Sequence, residues 1–232
     1  SRGELYESYI LYVLKEAKKV SSATPANAED FYAAVRPIAL HMLEAQSWKL
    51  TVGKVRQLLA DEGSVEDPVE WIEYIIPARV EDAHDDASSF EFAHKSIAEF
   101  IIANQLFHSA EDTIEAIRNP FSISTPAVVQ MFGELCISYP AEATTLITDV
   151  LVPQVQESAW DSSAATVAQA SNSLALLAVA GQPLRDISFA GAIINKCRLD
   201  SAVLDGVDIQ GAEFSGCSLR YASFNEASIS DA

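Results

Sequence analysis

The sequence predicts a mainly α chain that closes on a solenoid, and three observations predict it. Apolar residues recur at helical spacing through most of residues 1–181. Two short alternating segments, 78–82 and 88–93, flank the polar turn at His84, Asp85 and Asp86 and read as a hairpin. From Leu184 onward the apolar period changes to five, which fits neither a 3.6-residue helix nor a flat strand. These features divide the chain into regions 1–107, 108–181 and 182–232.

In the first region Leu5, Tyr9, Ile10, Val13 and Ala17 mark an amphipathic helix ending before Pro25. Asn27 caps a second helix that runs through Ala45, in which Pro37 is expected to make a kink. After a short extended stretch at residues 48–50, Thr51 caps a third helix carrying Val55, Leu58 and Leu59. Asp67-Pro68 opens a fourth, since proline at the first turn forfeits only an N–H that would be unpaired anyway. Helices followed by a hairpin make a winged-helix arrangement. Its wing, residues 81–86, is acidic, the opposite sign from a wing that contacts phosphates. No spacing there matches a calcium or zinc loop, so the turn reads as solvated and no metal is expected.

Residues 90–107 pass from one regime to the other. Phe90, Phe92 and His94 share one face of an extended segment. Ser96 then stands where it can cap a helix, with Glu99 three residues on as in a capping box. Phe100, Ala103 and Phe107 follow at helical spacing. His94 therefore sits either as a core histidine at a strand–helix junction or at a helix mouth that attracts anions.

The run Phe92-x-His94-x-Ser96-x-x-Glu99-Phe100-x-x-Ala103 resembles the motif that ends the winged-helix domain of NACHT-type STAND NTPases. Ile97 and Ala98 depart from it, standing where that family usually has an aromatic residue and a glutamine. The resemblance implies that His94 contacts the β-phosphate of bound ADP in a longer protein and helps hold its resting state. It also implies an upstream nucleotide-binding domain, and the start at Ser1 without an initiating Met fits a piece of a longer chain. No G-x-x-x-x-G-K-[ST] occurs among the nine glycines, so the chain itself is expected to carry neither cofactor nor NTPase activity.

Residues 108–181 read as a helical, repeat-like array. Ser109 opens a short helix to Arg118, and Thr125-Pro126 caps and starts the next, which Pro140 ends. A helix over 141–152 is closed by Pro153, and an Ala-rich helix over 161–180 is terminated by Gly181.

Leu184, Phe189, Ile194, Leu199, Leu204, Ile209, Phe214, Leu219, Phe224 and Ile229 then fall five apart without a slip. Two residues before each stands a small or apolar residue, all but the first of them, Gln182. Such a chain must turn regularly and point one large and one small side chain inward per side. The pattern resembles the pentapeptide-repeat family, A-(D/N)-L-x-x, which implies a right-handed quadrilateral β-helix with four repeats per coil, two and a half coils here. Cys197 and Cys217, one coil apart in the small slot, are expected to stack about 5 Å apart as small hydrophobes, not as a redox pair. The helix before Gly181 is the expected cap. Nothing after Phe224 and Ile229 covers the far end, which predicts either further coils or end-to-end self-association.

The net charge of −18 argues against direct nucleic-acid or anionic-membrane contact, and residues 61–91 alone hold eleven acids against Arg79. Three scattered cysteines fit a reducing, cytoplasmic setting, and no apolar run reaches membrane-spanning length. The expected function is a non-catalytic regulatory, sensor and scaffold module of a STAND-type signalling NTPase, with protein partners or self-oligomerisation through the solenoid. A DNA mimic that occupies a topoisomerase is the alternative. Residues 182–232 weigh against it, holding seven acids and four bases, a net of −3. A free-standing enzyme has least support: no G-x-S-x-G or H-E-x-x-H occurs, and His94 with Glu99 is the sole acid–base candidate.

Overall fold

The computed structural model describes residues 2–21, 24–61, 65, 67–110, 114, 117, 119–122 and 124–230. They fall into two compact units, Ser1–Gln105 and Leu106–Ala232, so that regions 108–181 and 182–232 share one unit. About half the chain is helical.

In the first unit α1 (Arg2–Ala17) buries Ile10, Leu14 and Ala17 but leaves Leu5 and Tyr9 largely exposed. Helix α2 (Ala28–Glu44) begins where Asn27 Oδ1 accepts from Asp30 N at 2.8 Å. Its face of Phe31, Val35, Ile38 and Met42 is fully buried. Strand β1 (Leu50–Thr51) leads into α3 (Val52–Asp61), whose Lys54 N donates to Thr51 Oγ1 at 3.3 Å. Asp67 caps α4 (Pro68–Glu70), which widens at once into a π-turn, Trp71–Ile75. That turn carries Trp71 onto Phe31, ring planes 6° apart.

Strands β2 (Ala78–Val80) and β3 (Ser89–Phe92) form the hairpin, and β1 adds to the far side of β3 in an antiparallel sheet of order β1-β3-β2. Both strands stop short of the alternating pattern. Asp82 Oδ1 accepts from His84 N and Asp85 Oδ1 from Ala87 N, each at 2.9 Å or less, so the side chains fold the turn before the pattern runs out. Helix α5 (Lys95–His108) follows.

In the second unit α6 (Pro126–Ser138) starts at proline as expected, but Thr125 does not cap it; its hydroxyl donates to the Phe121 carbonyl at 2.9 Å. The helix expected from Ser109 to Arg118 lies largely outside the described residues. Helix α7 (Pro140–Leu146) runs through a π-turn (Ile147–Leu151) into α8 (Val152–Glu157). Pro153 therefore lies inside this helical run and does not close it. The wider ladder just ahead relieves the clash between its ring and the preceding turn that would break an α-helix. Helix α9 (Ala164–Leu177) is capped by Ser163, whose Oγ accepts from Thr166 N.

The five-residue period appears in the backbone itself. From Asp186 to Glu226 every fifth residue has φ between 58° and 71° except Lys196, at 50°. At Gly206 a Cβ would stand 3.0 Å from Arg185 Cγ, so glycine answers both φ and space there. Strands β4 (Ile193–Asn195) and β5 (Glu213–Ser215) pair in parallel, and four isolated bridges share their offset of 20 residues. Four five-residue sides therefore make one turn. The sheet consists of two short strands and these bridges, not a continuous closed ladder, because a left-handed corner interrupts each side after about three extended residues.

Candidate functional site

The repeat segment is built from its interior outward. Leu184, Phe189, Ile194, Leu199, Leu204 and Ile209 are buried, as are Ala192, Cys197, Ala202, Val207 and Ala212 in the small slot. Burial fades along the last turn, where Leu219 is 37% and Ile229 54% exposed.

The start of the coil is sealed. Ile193 N donates to Ser158 Oγ at 3.0 Å, Asn195 N to Ser171 Oγ at 2.8 Å, and Arg198 N to Ser122 Oγ at 3.0 Å. Gln156 Nε2 donates to the Ser188 carbonyl at 2.9 Å. A first turn has no preceding turn to pair with, and three buried hydroxyls take its place. Ser171 belongs to a polar trio inside α9. Its neighbour Asn172 accepts from Phe121 N and donates to the Asn119 carbonyl, and Ser173 donates to Gln154 Oε1.

Successive turns are clamped by carboxylates. Asp200 Oδ1 accepts from the Ser218 hydroxyl and from Arg220 N, and Asp205 Oδ1 accepts from the Ser223 hydroxyl and from Asn225 N. The serine hydroxyl is the chief cause in each case that holds the aspartate below its ordinary carboxylate range. Ser188 likewise donates to Asp208. Arg185 pairs with Glu226 at 2.8 Å and Arg198 with Asp200 at 3.1 Å.

Cys197 N points at Cys217 Sγ across 3.4 Å, and the Cys197 thiol donates to the Ser171 carbonyl. Both thiols are free, and burial pushes their pKa values up, so neither is poised as a thiolate. Cys136, buried in α6, is pushed up to about 12 by the same cause.

His94 is exposed and lies past the end of β3, so it does not continue the face of Phe90 and Phe92. Its carbonyl accepts from Ile97 N at 3.0 Å. It lines a groove of about 380 Å³ with Leu5, Tyr6, Tyr9, Ser96 and Ile97. Helix α5 begins at Lys95, which places Ser96 inside the first turn instead of at its cap. Glu99 pairs with Lys95 at 3.0 Å and does not close a capping box with Ser96. Among the described residues no group of three His, Cys, Asp or Glu side chains is placed to hold a metal ion, the acidic wing included. No single described helix is long and apolar enough to cross a bilayer.

Sequence reasoning marked the inward residues and His94 but missed the cap serines and the aspartate clamps. The signal for the cap was Ser171-Asn172-Ser173, three polar residues in an otherwise apolar, Ala-rich helix. Serine at position 218 or 223 opposite an aspartate 18 residues earlier was the signal for the clamps. No curated protein and no solved structure matches the chain. The family model of pentapeptide repeats matches residues 184–220 and 197–232, in eight copies, which marks residues 184–232 as the part of the chain that carries these repeats.

Proposed function

We propose that the chain is a non-catalytic regulatory and scaffold module whose repeats close as a right-handed quadrilateral β-helix and present a rigid surface to protein partners. The observation that carries this reading is the construction of the coil. Its first turn is sealed by serines, its successive turns are clamped by aspartates, and outward side chains such as Val203 and Tyr221 stand exposed. Tyr221 on the coil and Trp160 ahead of α9 are each 91% exposed, and such aromatics anchor protein interfaces. The thinning burial toward Ile229 offers a second contact surface, open to a partner or to another copy.

The first unit, in the same proposal, is the winged-helix end of a NACHT-type STAND NTPase, and His94 is its contact to ADP. The helix–hairpin–helix order and the exposed imidazole beside a groove support this part. The DNA-mimic alternative draws less support, because Asp200, Asp205 and Asp208 are engaged in bonds between successive turns instead of displayed as a free, phosphate-like row. A photo-crosslinking amino acid at position 221 or 229, compared with one at Thr144, tests the interaction reading. Discrete protein adducts from the coil positions alone are expected, and their mass tells partner from second copy. Equal labelling from all three positions would sink the proposal.

A further inference from the structure

The sheet of the first unit leaves β2 with one unpartnered side among the described residues. The phase of its hydrogen bonds fixes which backbone groups lie there. Ala93 N donates to the Pro77 carbonyl at 2.8 Å, so in the antiparallel alternation Arg79 and Glu91 exchange bonds, while Ala78–Phe92 and Val80–Phe90 do not. The other side of β3 agrees. Val52 N donates to the Ser88 carbonyl at 2.9 Å, which makes Leu50–Phe90 a bonded pair and turns the polar groups of Phe90 toward β1. The N–H and C=O of both Ala78 and Val80 therefore point away from the sheet, and among the described residues nothing bonds to them.

A groove of about 350 Å³ opens beside this edge, with Ile72, Tyr74, Ala78 and Val80 in its lining. Its other walls are carboxylates, Glu73, Glu81 and Asp82. Two basic side chains lie near. His84 Nε2 is 3.5 Å from Glu73 Oε1, and Arg79, alternating to the opposite face from Ala78 and Val80, stands across from Glu91.

We propose that this edge takes an extended, basic peptide segment of a partner protein as an added strand. Ala78 and Val80 supply two donors and two acceptors at the two-residue spacing a strand requires. Glu73, Glu81 and Asp82 select lysine or arginine over acidic side chains, and Tyr74, 51% exposed, gives an alternate side chain an apolar face. This surface is separate from the repeat coil, and the inference does not rest on the coil's function.

The test uses the full chain and a labelled, end-blocked octapeptide alternating lysine and valine, read by fluorescence anisotropy. Saturable binding is expected, with none by the glutamate–valine counterpart. Val80→Pro removes one outward N–H without taking a bond from the β2–β3 pair, a substitution that edge strands accept. It is expected to weaken binding about tenfold, the loss of one hydrogen bond. Should that variant fail to fold, the wild-type chain with a peptide N-methylated at every second amide gives the same reading, and loss of binding is expected. No binding by the lysine peptide, or binding indifferent to both Val80→Pro and N-methylation, overturns the proposal. So does self-association of the chain that the peptide competes away, since the edge would then belong to a second copy.

Discussion

Asp200 and Asp205 each join a side-chain bond and a backbone bond from the next turn at one carboxylate oxygen. Both bonds are stronger to the ionised form, and the serine hydroxyl leads in depressing each pKa. A folded-state pKa below the unfolded one contributes stability that is complete above the unfolded value and is lost as pH falls through the folded value. The coil should therefore loosen on the acid side of the ordinary aspartate range, and the paired substitution Asp200→Asn with Asp205→Asn should flatten that limb. Melting temperature measured against pH for both proteins checks it. Parallel acid limbs would remove the clamps from the account.

At the scale of elements, α9 is a helix with two duties, packing its apolar face and offering hydroxyls to the start of the coil. Ser171 is 1% exposed, and its Oγ both donates to the Val167 carbonyl and accepts from Asn195 N. Ser171→Ala leaves that amide buried without a partner, at a cost of about 1–3 kcal/mol. The urea midpoint should fall while the dependence on urea stays the same; an unchanged midpoint would mean that water replaces the hydroxyl. Periodic and local features were legible in advance: the caps at Asn27 and Asp67, the hairpin, and the first six of ten expected inward residues five apart, from Leu184 to Ile209. What was hidden depends on distant partners. Nothing near Ser122 in sequence announces Arg198, and Pro153 reads as a stop until the π-turn before it is known. His94 shows the middle case, since its place at a helix start was readable but the bend that takes it off the face of β3 was not.

At the scale of the whole molecule the net charge of −18 is borne by both units, and no phosphate-binding loop occurs in the sequence. One imidazole does not replace a cradle of backbone amides. Calorimetry of residues 1–232 with ADP should show no binding, and micromolar affinity would contradict the proposed division of labour. In a longer protein that does bind ADP, His94→Leu should weaken the nucleotide by roughly 1–3 kcal/mol, the range of a charge-assisted bond. The 20-residue register has a further consequence for how this chain can change length. Deleting or duplicating 20 residues removes or adds one lap and returns every later side chain to the compass direction it had before. A gain or loss of five keeps the interior in step yet swings all downstream positions a quarter turn, so a patch that faced north would face east. Any other count throws large residues into the slots of small ones. Insertions here are thus quantised: fives reorient the surface, twenties lengthen it, and the remainder are selected against by the core.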